Sequence, residues 1–261
     1  MRKIYIVPNF VTTINMFCGF YSMIASIHSD FMSAAWAILA AAVFDVLDGR
    51  IARLARATSQ FGVEYDSLSD LISFGVAPAI LLYQWALVPF GRLGWLAAFL
   101  YVTCSALRLA RFNVNTAVVP KAYFQGLPTP MAANTVGTFI IFNNTLGWPE
   151  ATAGFFTLQN LVLALTFGLS SLMVSSIRFP SFKEFNWRSR GTFGILLVVV
   201  LAMILIAVKP EVTLFLLLSS YIGLSLVWNF LYHVRGPSSA ERARLARVDA
   251  YSDVHGHGQG D

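Results

Sequence analysis

Charge is scarce in this chain. Only 12% of its 261 residues are Asp, Glu, Lys or Arg, against about 25% in an ordinary soluble domain. Acidic residues number 13 and cysteines two. So little charge excludes a water-soluble enzyme: 57% of the residues are apolar or aromatic, and a soluble fold of this length has no interior large enough to hide them. The same composition excludes a disordered chain, which needs low hydropathy and high charge. Cys18 and Cys104 each sit inside an apolar stretch and form no CxxC, so a disulfide scaffold is excluded and both read as small hydrophobes. The net charge is +5, but the bases are scattered between apolar runs, so no nucleic-acid partner is expected.

What the chain has in abundance is long apolar runs. A membrane span needs about 20 mostly apolar residues. Eight runs qualify: Phe10–His28, Phe31–Leu47, Leu68–Leu87, Leu93–Leu109, Pro130–Leu146, Leu158–Ile177, Phe193–Val208 and Val212–Tyr232. They are continuous rather than alternating, which argues against a β-barrel. The expected fold is an all-α integral membrane bundle of about eight transmembrane helices, residues 1–234. Residues 235–261 are polar and rich in Gly and Ser, and read as a disordered tail, with His255 and His257 assigned no metal role.

Lys and Arg give the orientation. Sixteen of the 18 bases fall at the N-terminus, in alternate connections and in the tail, whereas the opposite side holds only Arg92 and Lys209. Both termini are therefore expected on the cytoplasmic side, in the plasma or inner membrane if the source is bacterial. Met1-Arg2-Lys3 before an apolar run imitates a signal peptide. Pro8-Asn9 interrupts that run early, so the first span reads as retained. Residues 178–190 read as a basic loop at the lipid surface.

Carboxylates near a bilayer are costly, and five of the 13 acidic residues lie between Asp45 and Asp70. Asp45, Asp48, Gly49, Ala52 and Arg53 recur at helical spacing and share one face of a helix continuing from the second span. Asp66 and Asp70 share a face at the start of the third. Two helices thus bring four mutually repelling carboxylates together. An all-oxygen site of that kind suits Mg²⁺ or Mn²⁺, and a hard cation at headgroup level is what phosphoryl transfer on a lipid needs. A cation or proton pathway gathers carboxylates too, and Asp and Arg at a span end also pair plainly with each other. Spacing alone leaves these readings open.

The segment Asp45-Val-Leu-Asp48-Gly49-Arg-Ile-Ala52-Arg53, eight residues, then Gly62-Val-Glu-Tyr-Asp66-Ser-Leu-Ser-Asp70 resembles the signature of the CDP-alcohol phosphatidyltransferases, DxxDGxxAR-x8-GxxxDxxxD, at every fixed position. Three flanking blocks resemble the members of that family that use serine. They are Pro8-Asn9-Phe-Val-Thr12 with Asn15, Ser73–Pro78, and Arg108-Leu-Ala-Arg111-Phe-Asn113 followed by Phe124-Gln-Gly126-Leu-Pro128. The resemblance spans residues 8–135 and implies a six-helix catalytic core placed first in the chain.

It also implies roles. Asp45, Asp48 and Asp66, joined by Asp70, would hold two Mg²⁺ or Mn²⁺ ions, and Asp70 would be the base that takes the acceptor's proton. Asn9, Thr12, Asp48, Gly49, Ala52, Arg53, Thr58, Ser59 and Gly62 would line the CDP-lipid site. The implied reaction is metal-dependent transfer of a phosphatidyl group from CDP-diacylglycerol to L-serine, by a membrane enzyme that works as a homodimer among membrane lipids. Arg108, Arg111 and Lys121, with Asn113 and Gln125, would meet the serine carboxylate. A phosphorylated acceptor such as glycerol 3-phosphate or inositol phosphate would want the same bases, choline is a further acceptor, and each base also serves positive-inside topology. A cation- or proton-coupled transporter is the alternative from another class, although no second DxxDG-like segment marks an inverted repeat.

Overall fold

Ser29 has a left-handed backbone (φ 63°), and Asp30 follows it, closing a tight turn between the first two helices. The computed structural model describes residues 6–54, 59–116, 123–147, 157–180, 200, 203 and 208–235. In it α1 spans Ile6–Ile27 and α2 spans Phe31–Leu54. Asp30 caps α2: its Oδ1 accepts the Ser33 amide at 3.1 Å. The Ser33 hydroxyl, and then its amide, hold the Asp30 carboxyl below its usual range. The Ser22 hydroxyl then ties the two helices together by donating to the Ala34 carbonyl at 2.9 Å.

The third helix, α3, is a 31-residue rod, Gln60–Phe90. It begins two turns before the expected Leu68, because Ser59 caps it by accepting the Gly62 amide at 3.0 Å. The polar stretch with Asp66 and Asp70 is therefore helical in full. Directly after Asp70 the rod widens into a π-helical segment, Leu71–Val76, and it does so again at Tyr83–Leu87. Pro78 has no N–H to offer the Phe74 carbonyl one turn back. The buried Tyr101 hydroxyl donates to that carbonyl instead, at 3.4 Å.

The remaining described helices are α4 (Arg92–Thr116), α5 (Thr129–Leu146), α6 (Leu158–Val174) and α7 (Pro210–Arg235). Among the described residues five helices are long and apolar enough to cross a membrane, and Leu158–Val174 is a shorter apolar one. Seven of the eight expected runs coincide with a helix, whereas all but three residues of Phe193–Val208 lie outside the described residues. So do the tail beyond residue 235 and most of the basic stretch 178–190. A small addition to the helical plan was not expected: β1 (Tyr123–Gln125) pairs antiparallel with β2 (Arg178–Pro180), Phe124 opposite Phe179. The chain divides into two compact units, Met1–Ser220 and Tyr221–Asp261. The site lies in the first.

Packing follows membrane rules. The buried faces are small: Ala34, Ala35, Ala41, Ala97, Ala132 and Ala133 are buried, and an added Cβ at Gly137 would stand only 3.2 Å from the Ala35 carbonyl. Buried Ser26, Thr135, Thr166 and Ser170 satisfy themselves by donating to the carbonyl four residues back. Phe10, Phe17, Phe20, Trp36, Trp95 and Phe99 point outward, an apolar coat that suits lipid and not water. This is a multi-pass helical membrane protein.

Candidate active site

Asp45 and Asp48 lie three residues apart on α2, and Asp66 faces them from α3. Each offers a carboxylate oxygen, and the three oxygens lie within 4.8 Å of one another. Asp48 is buried, at 4% exposure. Its Oδ2 accepts the Thr12 hydroxyl from α1 at 2.8 Å, and the same hydroxyl lies 3.1 Å from the Pro8 carbonyl. Asp66 Oδ1 is buried with no hydrogen-bond partner. A buried carboxylate oxygen facing two more carboxylates is an acceptor set short of positive charge. Hard oxygen donors in that arrangement fit a divalent cation.

Beside this triad a cleft of about 170 Å³ opens between α1, α2 and α3. Pro8, Asn9 and Thr12 line it from α1, Asp48, Gly49, Ala52 and Arg53 from α2, and Ser59, Gly62, Val63 and Asp66 from α3 or its cap. Of the residues expected around the CDP-lipid, all but Thr58 line it, and Thr58 lies outside the described residues. Ser59 has a second task there as the cap of α3. The exposed Arg53 guanidinium lies over Gly49, where an added Cβ would be 3.6 Å from Nη1.

Asp70 lies one turn further along α3, outside the group of three oxygens. Its Oδ1 accepts from Asn15 Nδ2 of α1 at 3.3 Å, and Asn15 Oδ1 is buried without a partner. Two serines lock α3 onto the α1 backbone here. Ser69 donates to the Thr12 carbonyl at 3.1 Å and Ser73 to the Asn15 carbonyl at 3.0 Å. The approach is close enough to need Gly19, whose added Cβ would come within 2.6 Å of the Ser73 Cα.

On the other flank α4 contributes a buried arginine. Arg108 is 8% exposed, donates from Nη1 to Thr129 Oγ1 at 2.9 Å, and has a buried Nε without a partner. The Phe112 ring centroid lies 6.0 Å from its guanidinium carbon. Arg111, by contrast, is exposed and donates to the Val174 carbonyl at 3.3 Å. Asn113 Nδ2 donates to Ser67 Oγ at 2.9 Å, joining α4 to α3. Lys121 and the Gln125 side chain lie outside the described residues. Thr129 was not among the expected site residues, although it follows the Phe124–Pro128 block directly. Asn15 carried no expected role either, because its partner is 55 residues away.

Comparison with known proteins agrees with this geometry. Residues 5–172 match the family model described as CDP-alcohol phosphatidyltransferase. Over 231 residues the chain is 35% identical to a Helicobacter pylori protein named CDP-diacylglycerol–serine O-phosphatidyltransferase, covering 88% of this chain and 92% of that one. It is 36% identical over 179 residues to the protein of that name from Bacillus subtilis, covering 68% and 92%. With the archaetidylserine synthase of Methanothermobacter thermautotrophicus it shares 39% over 175 residues, covering 66% and 69%. A match across the whole carboxylate motif and both of its flanks leaves one assignment: the chain belongs to the CDP-alcohol phosphatidyltransferase family.

Proposed function

We propose that this protein transfers the phosphatidyl group of CDP-diacylglycerol to the hydroxyl of L-serine, yielding phosphatidylserine and CMP. The observation that carries the reading is the triad Asp45, Asp48 and Asp66 at the edge of a cleft lined by Asn9, Thr12, Gly49, Ala52 and Arg53. Serine as acceptor is supported by the printed names of the relatives, which cover nearly the whole chain.

Asp45, Asp48 and Asp66 would hold the divalent cations, Mg²⁺ or Mn²⁺ and two in number, with Asp70 at the margin of their site. A divalent cation held there would supply the positive charge that neutralises a diphosphate and its leaving CMP. The Thr12 hydroxyl holds Asp48 in place. Gly49 and Ala52 leave room on α2 for the nucleotide, Arg53 supplies a fork for phosphate, and Asn9, Ser59 and Gly62 close the opposite wall, with Thr58 beside them in the sequence. Asp70, held by Asn15, takes the proton of the serine hydroxyl as that oxygen attacks phosphorus in line. No Ser, Cys or His spacing beside the carboxylates argues for a covalent intermediate. Arg108, with Arg111, Asn113, Lys121 and Gln125 as the wider basic and polar set, receives the serine carboxylate. The catalytic part is residues 1–234, the carboxylate end and both termini face the cytoplasm, and the enzyme works as a homodimer.

The test is CMP release by the purified full-length protein in lipid nanodiscs. It should require CDP-diacylglycerol, Mg²⁺ or Mn²⁺, and an acceptor. A panel of serine, glycerol 3-phosphate, inositol, inositol phosphate and choline, with mass detection of the lipid product, decides the acceptor. Product with any acceptor except serine would refute that part of the reading. Native mass spectrometry from nanodiscs checks the dimer.

A further inference from the structure

The Phe124–Thr129 block is held by backbone hydrogen bonds to the end of α6 and the segment after it. Gly126 donates its amide to the Ile177 carbonyl at 2.9 Å, and Leu127 donates to the Leu172 carbonyl in the last turn of α6 at 3.0 Å. That carbonyl is among the four a helix C-terminus leaves unpaired, so the block completes α6 as α6 anchors the block. Gly126 has φ 78°, and any Cβ there would collide with the Met173 carbonyl. Met173 also reaches α4, where its sulfur accepts the buried Ser105 hydroxyl at 3.4 Å. The β1–β2 pair continues the same clasp outward.

Two residues past the clasped Leu127 comes Thr129, fully buried, whose Oγ1 accepts the Arg108 Nη1. Ser105 and Arg108 lie three residues apart on α4, so the end of α6 holds the arginine's own helix as well as the hydroxyl that orients it. A guanidinium with one arm bonded to Thr129 and its buried Nε unpartnered is fixed in direction and still short of an acceptor.

We propose that Thr129 is a positioning residue for acceptor recognition. Through the clasp on α6 it fixes the direction of the Arg108 guanidinium, so that the arginine presents its remaining donors to the acceptor's carboxylate. This rests on the reading of Arg108 as the carboxylate anchor.

The experiment compares Thr129→Val, Thr129→Ala, Thr129→Ser and Arg108→Ala in full-length protein in nanodiscs. Serine KM, CDP-diacylglycerol KM and kcat are measured separately. Thr129→Val keeps the shape and removes the acceptor for Nη1. It should raise the serine KM about tenfold, as expected for losing a hydrogen bond to a charged group, with kcat and the CDP-lipid KM within about twofold. Thr129→Ala should behave alike, and Thr129→Ser should restore the serine KM to within about twofold of the parent.

If Arg108→Ala raises the serine KM while Thr129→Val leaves it unchanged, the anchor stands and the positioning role is overturned. If Arg108→Ala leaves it unchanged, the anchor falls and takes the positioning role with it. Equal losses in kcat and both KM values, or failure of Val and Ala alike to accumulate folded while Ser does, would make Thr129 a packing residue and overturn the proposal.

Discussion

Between α1, α2 and α3 the bundle gathers carboxylates around a cleft, with the Arg53 guanidinium as the cation lining it. Between α4 and α5 it buries one arginine against the Thr129 hydroxyl and the Phe112 ring. In the first region like charges crowd together, and a side chain such as Asp66 keeps an oxygen with no partner. Such an arrangement is costly unless a cation joins it. In the second a single buried charge donates to one hydroxyl and keeps an Nε without a partner. One region is built to be completed by metal, the other to complete an anionic ligand.

Breaking the carboxylate region should have the largest effect. Asp45→Asn, Asp48→Asn or Asp66→Asn should each cut CMP release about 1000-fold at saturating substrate, since metal stabilisation of a phosphoryl transition state is worth several kcal/mol. Each should also weaken metal binding, read by titrating Mn²⁺ against the purified variant. A variant that turns over normally at low metal would remove its residue from the ion site. Asp70→Asn should cost about 100-fold in kcat, the lower range for a lost general base, with CDP-lipid binding nearly unchanged. An equal loss of CDP-lipid affinity would place Asp70 with the triad instead. Thr12→Val removes the donor to Asp48, and should weaken metal affinity about tenfold with the fold intact.

The two regions differ equally in how far they can be read from the residues. Asp45, Asp48, Gly49, Ala52 and Arg53 recur at three- and four-residue spacing, so a single helix puts them on one face and local periodicity suffices. The cleft residues of α1 came only through resemblance, because the Thr12–Asp48 bond joins positions 36 apart. Thr129 and Met173 were out of reach altogether. Their contacts with α4 span 21 and 68 residues and depend on where α5 and α6 dock. The helices followed from hydropathy almost throughout. The exceptions are the early start of α3, where the Ser59 cap outweighs low hydropathy, and β1–β2, three residues each, too short for any alternation to register.

The smallest expected effect sharpens the comparison inside the second region itself. Arg108 and Arg111 lie three residues apart on one helix, and the sequence treats them alike. Their surroundings do not. Arg108 is buried, donates to Thr129, and its Nε has no partner. Arg111 is exposed and donates to the carbonyl that ends α6. A buried charged hydrogen bond to a substrate carboxylate is worth about 1.5–3 kcal/mol, so Arg108→Ala should raise the serine KM roughly 10- to 150-fold. Arg108→Lys should recover only part of that, because an ammonium cannot reproduce the planar fork. An exposed guanidinium is screened by solvent, and its bond to Val174 is one that water can replace. Arg111→Ala should therefore change the serine KM by less than about threefold, and Arg111→Lys should be indistinguishable from the parent. Equal increases at the two positions would mean that the acceptor sits between them, further toward the open face of α4. A larger increase at Arg111 would move the anchor off Arg108 and leave the buried arginine as a partner of Thr129 alone.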